Sequence, residues 1–147
     1  MRLAENSRLL IVTAWVGSLW TIGYLVAPTL FIALPDRVLA GTIAGKLFRS
    51  EAWFSLLAGT ILLVLLWLQT PRTPRFAGMT KLVGAMLVCT LLGYFALQPS
   101  MAALRDSAVN GVMNADAHSR FALLHGVASV LYLIQSLLGV MLVLKST

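Results

Sequence analysis

FALLHGVASVLYLIQSLLGVMLVL, residues Phe121–Leu144, contains no Asp, Glu, Lys or Arg. A helix needs about 20 mainly apolar residues to cross a bilayer, so this stretch reads as a membrane span. Working outward from it, Leu82–Ser100, Ala52–Gln69 and Leu9–Leu34 are equally free of charged side chains. Tilt and snorkelling accommodate their different lengths. The expectation is an all-α integral membrane protein, an antiparallel, up-down-up-down four-helix bundle forming one domain over residues 1–147. Helix ends are expected close to residues 8–34, 50–69, 79–99 and 119–144.

Composition supports a membrane solvent. Hydrophobic residues make up 59% of the chain and charged residues 11%, against roughly 25% charged in an ordinary soluble domain. The net charge of +6 does not imply nucleic acid, because the basic residues are scattered at segment ends, where they suit an anionic membrane surface. The single cysteine, Cys89, excludes an intramolecular disulfide. Arg2 and Arg8 precede the first apolar run as in a signal peptide, but 26 residues exceed a typical signal core of 7–15, so a retained anchor is expected.

With four spans both termini share a side. That side carries Arg2, Arg8, Arg72, Arg75, Lys81 and Lys145, and the other carries Arg37, Lys46, Arg49, Arg105 and Arg120. Six against five is a small bias, but the Pro71-Arg72-Thr73-Pro74-Arg75 turn is short and basic. By the positive-inside rule it places both termini in the cytoplasm, with the chain in a bacterial inner membrane.

The connections have character of their own. In Pro35–Arg49, Val38, Leu39, Ile43, Leu47 and Phe48 recur at helical spacing behind Asp36, a suitable cap. Either a short interfacial helix or an early extension of the second span follows. Gly41 and Gly45 would admit another backbone closely. The third connection, Met101–Ser119, is the most polar segment, and Asp116 is a candidate cap for the last helix. Pro28 interrupts the first span, where it frees a carbonyl and predicts a kink.

His125 is the most informative side chain for chemistry. His118 lies seven residues before it and Tyr132 seven after, with Ser129 and Ser136 on nearly the same face. Seven helical residues rise about 10.5 Å, so one metal cannot take both histidines from a continuous helix. Three readings stay open for the stripe: a buried row hydrogen-bonded across the bundle, a metal or haem site completed from another helix, or a path for protons or substrate. Gln135 is expected to find its own interhelical partner. Met86 and Cys89, one turn apart, are ligand types that favour copper(I), but both are also ordinary core residues. Arg49 and Glu51, with Trp53, read as an interfacial anchor, and Arg49 or Arg120 could pair with a loop acid. No charged residue is expected deep in a span, which argues against a carboxylate-driven ion transporter. No HExxH motif, phosphate-binding glycine loop or nucleophile elbow is present.

Gly23-Tyr24-Leu25-Val26-Ala27-Pro28-Thr29-Leu30-Phe31, Ala40-Gly41 with Gly45-Lys46-Leu47-Phe48, and Phe121-Ala122-Leu123-Leu124-His125-Gly126-Val127-Ala128-Ser129 together resemble a family of small bacterial membrane proteins of unknown function. That family is related in appearance to the eukaryotic transmembrane family associated with platinum-drug tolerance. Ala27, Pro28 and Phe31 match its Ala-Pro-x-x-Phe element, and Phe121, His125 and Ser129 match its Phe-x-x-x-His-x-x-x-Ser element. The resemblance implies four spans and brings no catalytic residues. A more distant likeness to copper-resistance and haem-handling four-helix proteins keeps haem or copper as the alternative to no cofactor.

The function expected from these readings is non-enzymatic: a structural, accessory or stress-tolerance component. Membrane lipids and a second copy or another membrane protein are its expected partners. The alternatives are a metal- or haem-binding protein using His125, or a small transporter.

Overall fold

The computed structural model describes residues 2–68, 73–107 and 112–146, with side chains from Glu5 onward. Pro71, Arg72, Asn110 and the side chain of Arg2 lie outside the described residues. Four helical rods, each long and apolar enough to cross a membrane, form the bundle: Glu5–Ala33, Arg37–Trp67, Pro74–Asp106 and Ala115–Ser146. The first consists of α1 (Arg2–Trp20), a π-helical turn (Thr21–Val26) and α2 (Ala27–Ala33). The second is α3 (Arg37–Trp67). The third is α4 (Pro74–Leu91), a π-helical turn (Leu92–Leu97) and α5 (Gln98–Asp106), and the fourth is α6 (Ala115–Ser146).

The first connection becomes an extension of the second span rather than a separate interfacial helix. Asp36 sets its start, its carboxylate accepting from the Val38 and Leu39 N–H groups at 2.8 and 3.1 Å. These are donors that a helix start leaves unpaired. Nothing after Arg37 stops the helix, so α3 runs 31 residues to Trp67. The expected start near residue 50 is therefore too late. α6 is capped by Asn114, whose side chain accepts from the Ala117 N–H at 2.8 Å. Asp116 instead pairs with Arg120 at 3.1 Å, both side chains exposed.

Each proline in mid-span is preceded by a wide turn. Pro28 and Pro99 lack an N–H, and in a regular helix each ring would press on the carbonyl four residues earlier. The turn before each opens to π geometry: the Ala27 N–H reaches the Ile22 carbonyl and the Gln98 N–H reaches the Gly93 carbonyl. Such local adjustments let proline sit in a span without orphaning backbone groups. The same device occurs twice, in spans of the same direction, each time over a Gly-Tyr pair, Gly23-Tyr24 and Gly93-Tyr94.

The apolar core lies toward the termini end of the bundle. It joins Val12, Trp15 and Val16 to Leu62, Leu66, Met79, Val83, Met86 and Leu142. Beyond the wide turns, α2 packs on α3 and α5 on α6. There the buried residues are mostly small: Ala27, Ala40, Ala44 and Ala117, with Met101. What approaches the Gly41–Gly45 face is a pair of polar side chains, not a second backbone. Arg105 Nη1 donates to the Gly41 carbonyl at 3.2 Å and Gln98 Nε2 to that of Gly45 at 3.5 Å.

Candidate functional site

Because α3 starts at Arg37, Glu51 stands in the middle of a long helix. Ala44, Glu51, Ser55, Ala58 and Leu62 are buried along one side of it, spaced as helical geometry requires for one face. Glu51 is only 4% exposed. Counting from Arg49 to Trp67, the helix rises about 27 Å, close to the thickness of the hydrocarbon layer. Glu51 thus stands about 3 Å along the helix from Arg49 and points into protein rather than outward.

A buried carboxyl group in a span needs partners of its own. Ser18 on α1 and Ser55 on α3 each bring a hydroxyl to Glu51 Oε1 at 3.2 Å. Trp15 Nε1 donates to Ser55 Oγ at 2.7 Å, so the indole, the serine and the carboxyl form a chain. Ser18 is also 2.9 Å from the Trp15 carbonyl. One hydroxyl proton serves one strong bond, so when Ser18 donates to that carbonyl, a proton on Glu51 can complete the contact with Ser18. Among the described residues the one ion pair is Asp116–Arg120; Glu51 is held by hydroxyls alone.

The fourth span closes the other side of this node. Tyr132 Oη donates to the Leu19 carbonyl at 2.6 Å, at the entry to the first π turn. Its ring meets Phe48 edge-on at 5.3 Å and Tyr24 at 6.2 Å. Tyr24 Oη donates to Ser136 Oγ at 2.9 Å. The tyrosine ring lies so close over Gly23 that a Cβ there would fall 2.8 Å from Tyr132 Cζ. One turn further along, Gln135 Nε2 donates to Thr90 Oγ1 at 2.9 Å, the interhelical partner expected for Gln135. The polar groups of four rods are thereby paired with one another at one level.

The stripe on α6 divides. Tyr132 and Ser136 face the bundle, whereas His118, His125 and Ser129 are exposed on its outside. His125 stacks on Phe121, ring centres 6.1 Å apart and nearly parallel, and the Ser129 hydroxyl donates to the His125 carbonyl at 2.9 Å. A seven-residue step drifts by about 20° around a helix. A larger reason is that the first half of α6 runs beside α5, while its second half enters the core with α1 and α4. A single buried row running from His118 to Ser136 is therefore not formed.

Arg49 and Pro28 are exposed as well. Met86 is fully buried in the apolar core and Cys89 is half-buried beside it. Among the described residues, no three His, Cys, Asp or Glu side chains come together in a way that could hold a metal.

Sequence reasoning named Glu51 and Tyr132 but not the residues that join them: Trp15, Ser18, Ser55 and Tyr24. A signal was present. The buried series Arg8, Val12, Trp15 and Leu19 on α1 has helical spacing, as does the Glu51 series on α3. Neither could be matched to the other while the second span was begun at residue 50.

Residues 10–110 match the domain of unknown function DUF4149. The chain belongs to the DUF4149 family. No curated protein and no solved structure matches it. The matched range includes Trp15, Ser18, Glu51, Ser55 and the Ala27-Pro28-x-x-Phe31 element, and it stops before the Phe121–Ser129 element.

Proposed function

We propose that this DUF4149 protein is a non-enzymatic accessory or stress-tolerance component of the bacterial inner membrane, with both termini in the cytoplasm and a kinship to the platinum-tolerance family. The observation carrying this reading is the mutual pairing of the polar side chains within the spans. Glu51, Tyr132, Ser136, Gln135 and Thr90 are engaged with one another or with backbone, which is how a bundle fixes its own arrangement in lipid. His125, stacked on Phe121 and turned outward, is left to meet a second copy or a membrane partner. A transport path would need His125, Ser129, Tyr132 and Ser136 on one wall, and they divide between inside and outside.

The test is complementation of a deletion strain under metal, platinum-drug and envelope stress, with the wild-type gene, His125→Ala and Glu51→Gln. Expected is rescue by wild type and loss of rescue by His125→Ala at an unchanged protein level in the membrane. A stoichiometric metal, or a haem absorption band, in protein purified from its native host and absent from His125→Ala would overturn this reading in favour of a cofactor.

A further inference from the structure

Arg8 has no place in the Glu51 node, and its surroundings leave it incomplete. It sits on the inward face of α1, one turn before Val12, and is only 6% exposed. Among the described residues its Nε and Nη1 are buried with no hydrogen-bond partner. The guanidinium lies 5.1 Å from the centre of the Phe76 ring. Stacking of this kind satisfies the flat face of the group. The N–H bonds, however, point out of its edge, and a buried charged donor without an acceptor is costly.

Among the described residues, the other charged side chains at this end of α4 have the same sign. Phe76 is in the first turn of α4, where Thr73 Oγ1 accepts from its N–H at 3.4 Å, and the start of a helix carries partial positive charge. Arg75 is its neighbour and donates from Nε to the Lys145 carbonyl at 2.7 Å. The Lys145 ammonium lies against Gly78, 3.6 Å from where a Cβ would stand. Glu5, one turn before Arg8, faces outward. A buried cation at a helix start, among further cations and with two unused donors, is a site for an anion. A phosphate group, with several acceptor oxygens and a full negative charge, suits a guanidinium with free donors in particular.

The position in the fold selects the source of that phosphate. Arg8 directly precedes the first apolar run, and Phe76 and Lys145 lie at the corresponding ends of α4 and α6, the level of lipid headgroups. On another face of α1 an apolar groove against α3, lined by Leu10, Ala14, Phe54, Leu57 and Ile61, starts at the same end of the helix and is suited to an acyl chain. Basic pockets between spans bind anionic headgroups by this chemistry. We infer that Arg8 of α1, beside the start of α4, binds the phosphate of an anionic phospholipid at the termini end of the bundle.

The test uses the full chain in mild detergent, exposed to equal amounts of phosphatidylglycerol and phosphatidylcholine, with bound lipid read by native mass spectrometry. Expected is preferential retention of phosphatidylglycerol by wild type. Arg8→Gln should lower that retention about tenfold, the scale of one lost charge-assisted contact. Equal retention of the two lipids by wild type overturns the inference, whether or not the variant folds. So does an undiminished preference in a folded Arg8→Gln. A parallel titration of wild type in phosphatidylcholine nanodiscs with inorganic phosphate separates the sources. Saturable binding lost in Arg8→Gln, without any lipid preference, would assign the site to soluble phosphate and overturn the lipid.

Discussion

Gly23→Ala places one methyl group where the Tyr132 ring already lies. The new Cβ would stand 2.8 Å from Cζ and 2.9 Å from Oη, well inside contact distance for a ring held between helices. The far end of the tyrosine is not free to move. Its hydroxyl donates to the Leu19 carbonyl and its ring meets Phe48 and Tyr24 edge-on. Overpacking of a core costs about 1–3 kcal/mol. If the ring swings away instead, the molecule loses a hydrogen bond of about 0.6 kcal/mol in a membrane protein and edge contacts of about 0.5–1.5 kcal/mol each. Either route predicts a loss of about 2–3 kcal/mol.

The assay is equilibrium unfolding of the purified protein by titrating dodecyl sulfate into mild detergent micelles. Two comparisons give it meaning. Gly17→Ala, where nothing lies within 4 Å of the added atom, should be neutral or slightly stabilising, since alanine is the better helix former. In a Tyr132→Leu background the distal ring atoms that collide are gone, and Gly23→Ala should then cost less than about 0.5 kcal/mol. Equal costs of Gly23→Ala in the two backgrounds would show that Tyr132 does not seat on Gly23, and the argument for a tyrosine locking the first wide turn would fail.

Other variants probe the remaining polar groups. Glu51→Gln keeps an acceptor for Ser18 and Ser55 and should cost under about 1 kcal/mol in the same titration, while Glu51→Ala removes it and leaves a cavity at a cost of about 2–4 kcal/mol; equal effects would refute a node built on that oxygen. For Gln135→Leu and Thr90→Val, a double-mutant cycle should give a coupling of about 0.6 kcal/mol, and a coupling of zero would mean that the 2.9 Å bond between them contributes nothing. His125→Ala should change stability by less than about 0.5 kcal/mol, as exposed substitutions usually do. A loss above 2 kcal/mol would instead put the imidazole inside the bundle.

How far the sequence reaches can be judged from particular residues. Pro28 announced an interruption of the first span because a missing N–H is a local fact, but the matching device before Pro99 was not drawn from the Gly-Tyr pair that the two segments share. Asp36 announced a helix start, and of the two outcomes open behind it the extension of the second span is the one formed, because no breaker follows Arg37. His125 was set with Tyr132 on one face by spacing. Spacing gives an angle around a helix; it does not give the neighbour at each height. α6 packs on different rods along its length, on α5 and on the core helices α1 and α4, and the face that turns inward at Tyr132 is exposed at His125.

The amino-acid sequence by itself determined the solvent, the number of spans and their alternating direction. These follow from the length of uncharged apolar runs, because an unpaired charge deep in hydrocarbon is costly. Only the tertiary structure decided which polar groups meet. Trp15, Ser18, Glu51 and Ser55 converge because two helices lie at one depth and one rotation, and Arg8 is left with unanswered donors because α4 begins where α1 enters the bundle. Pairing is a property of two surfaces at once, and no single helix carries it.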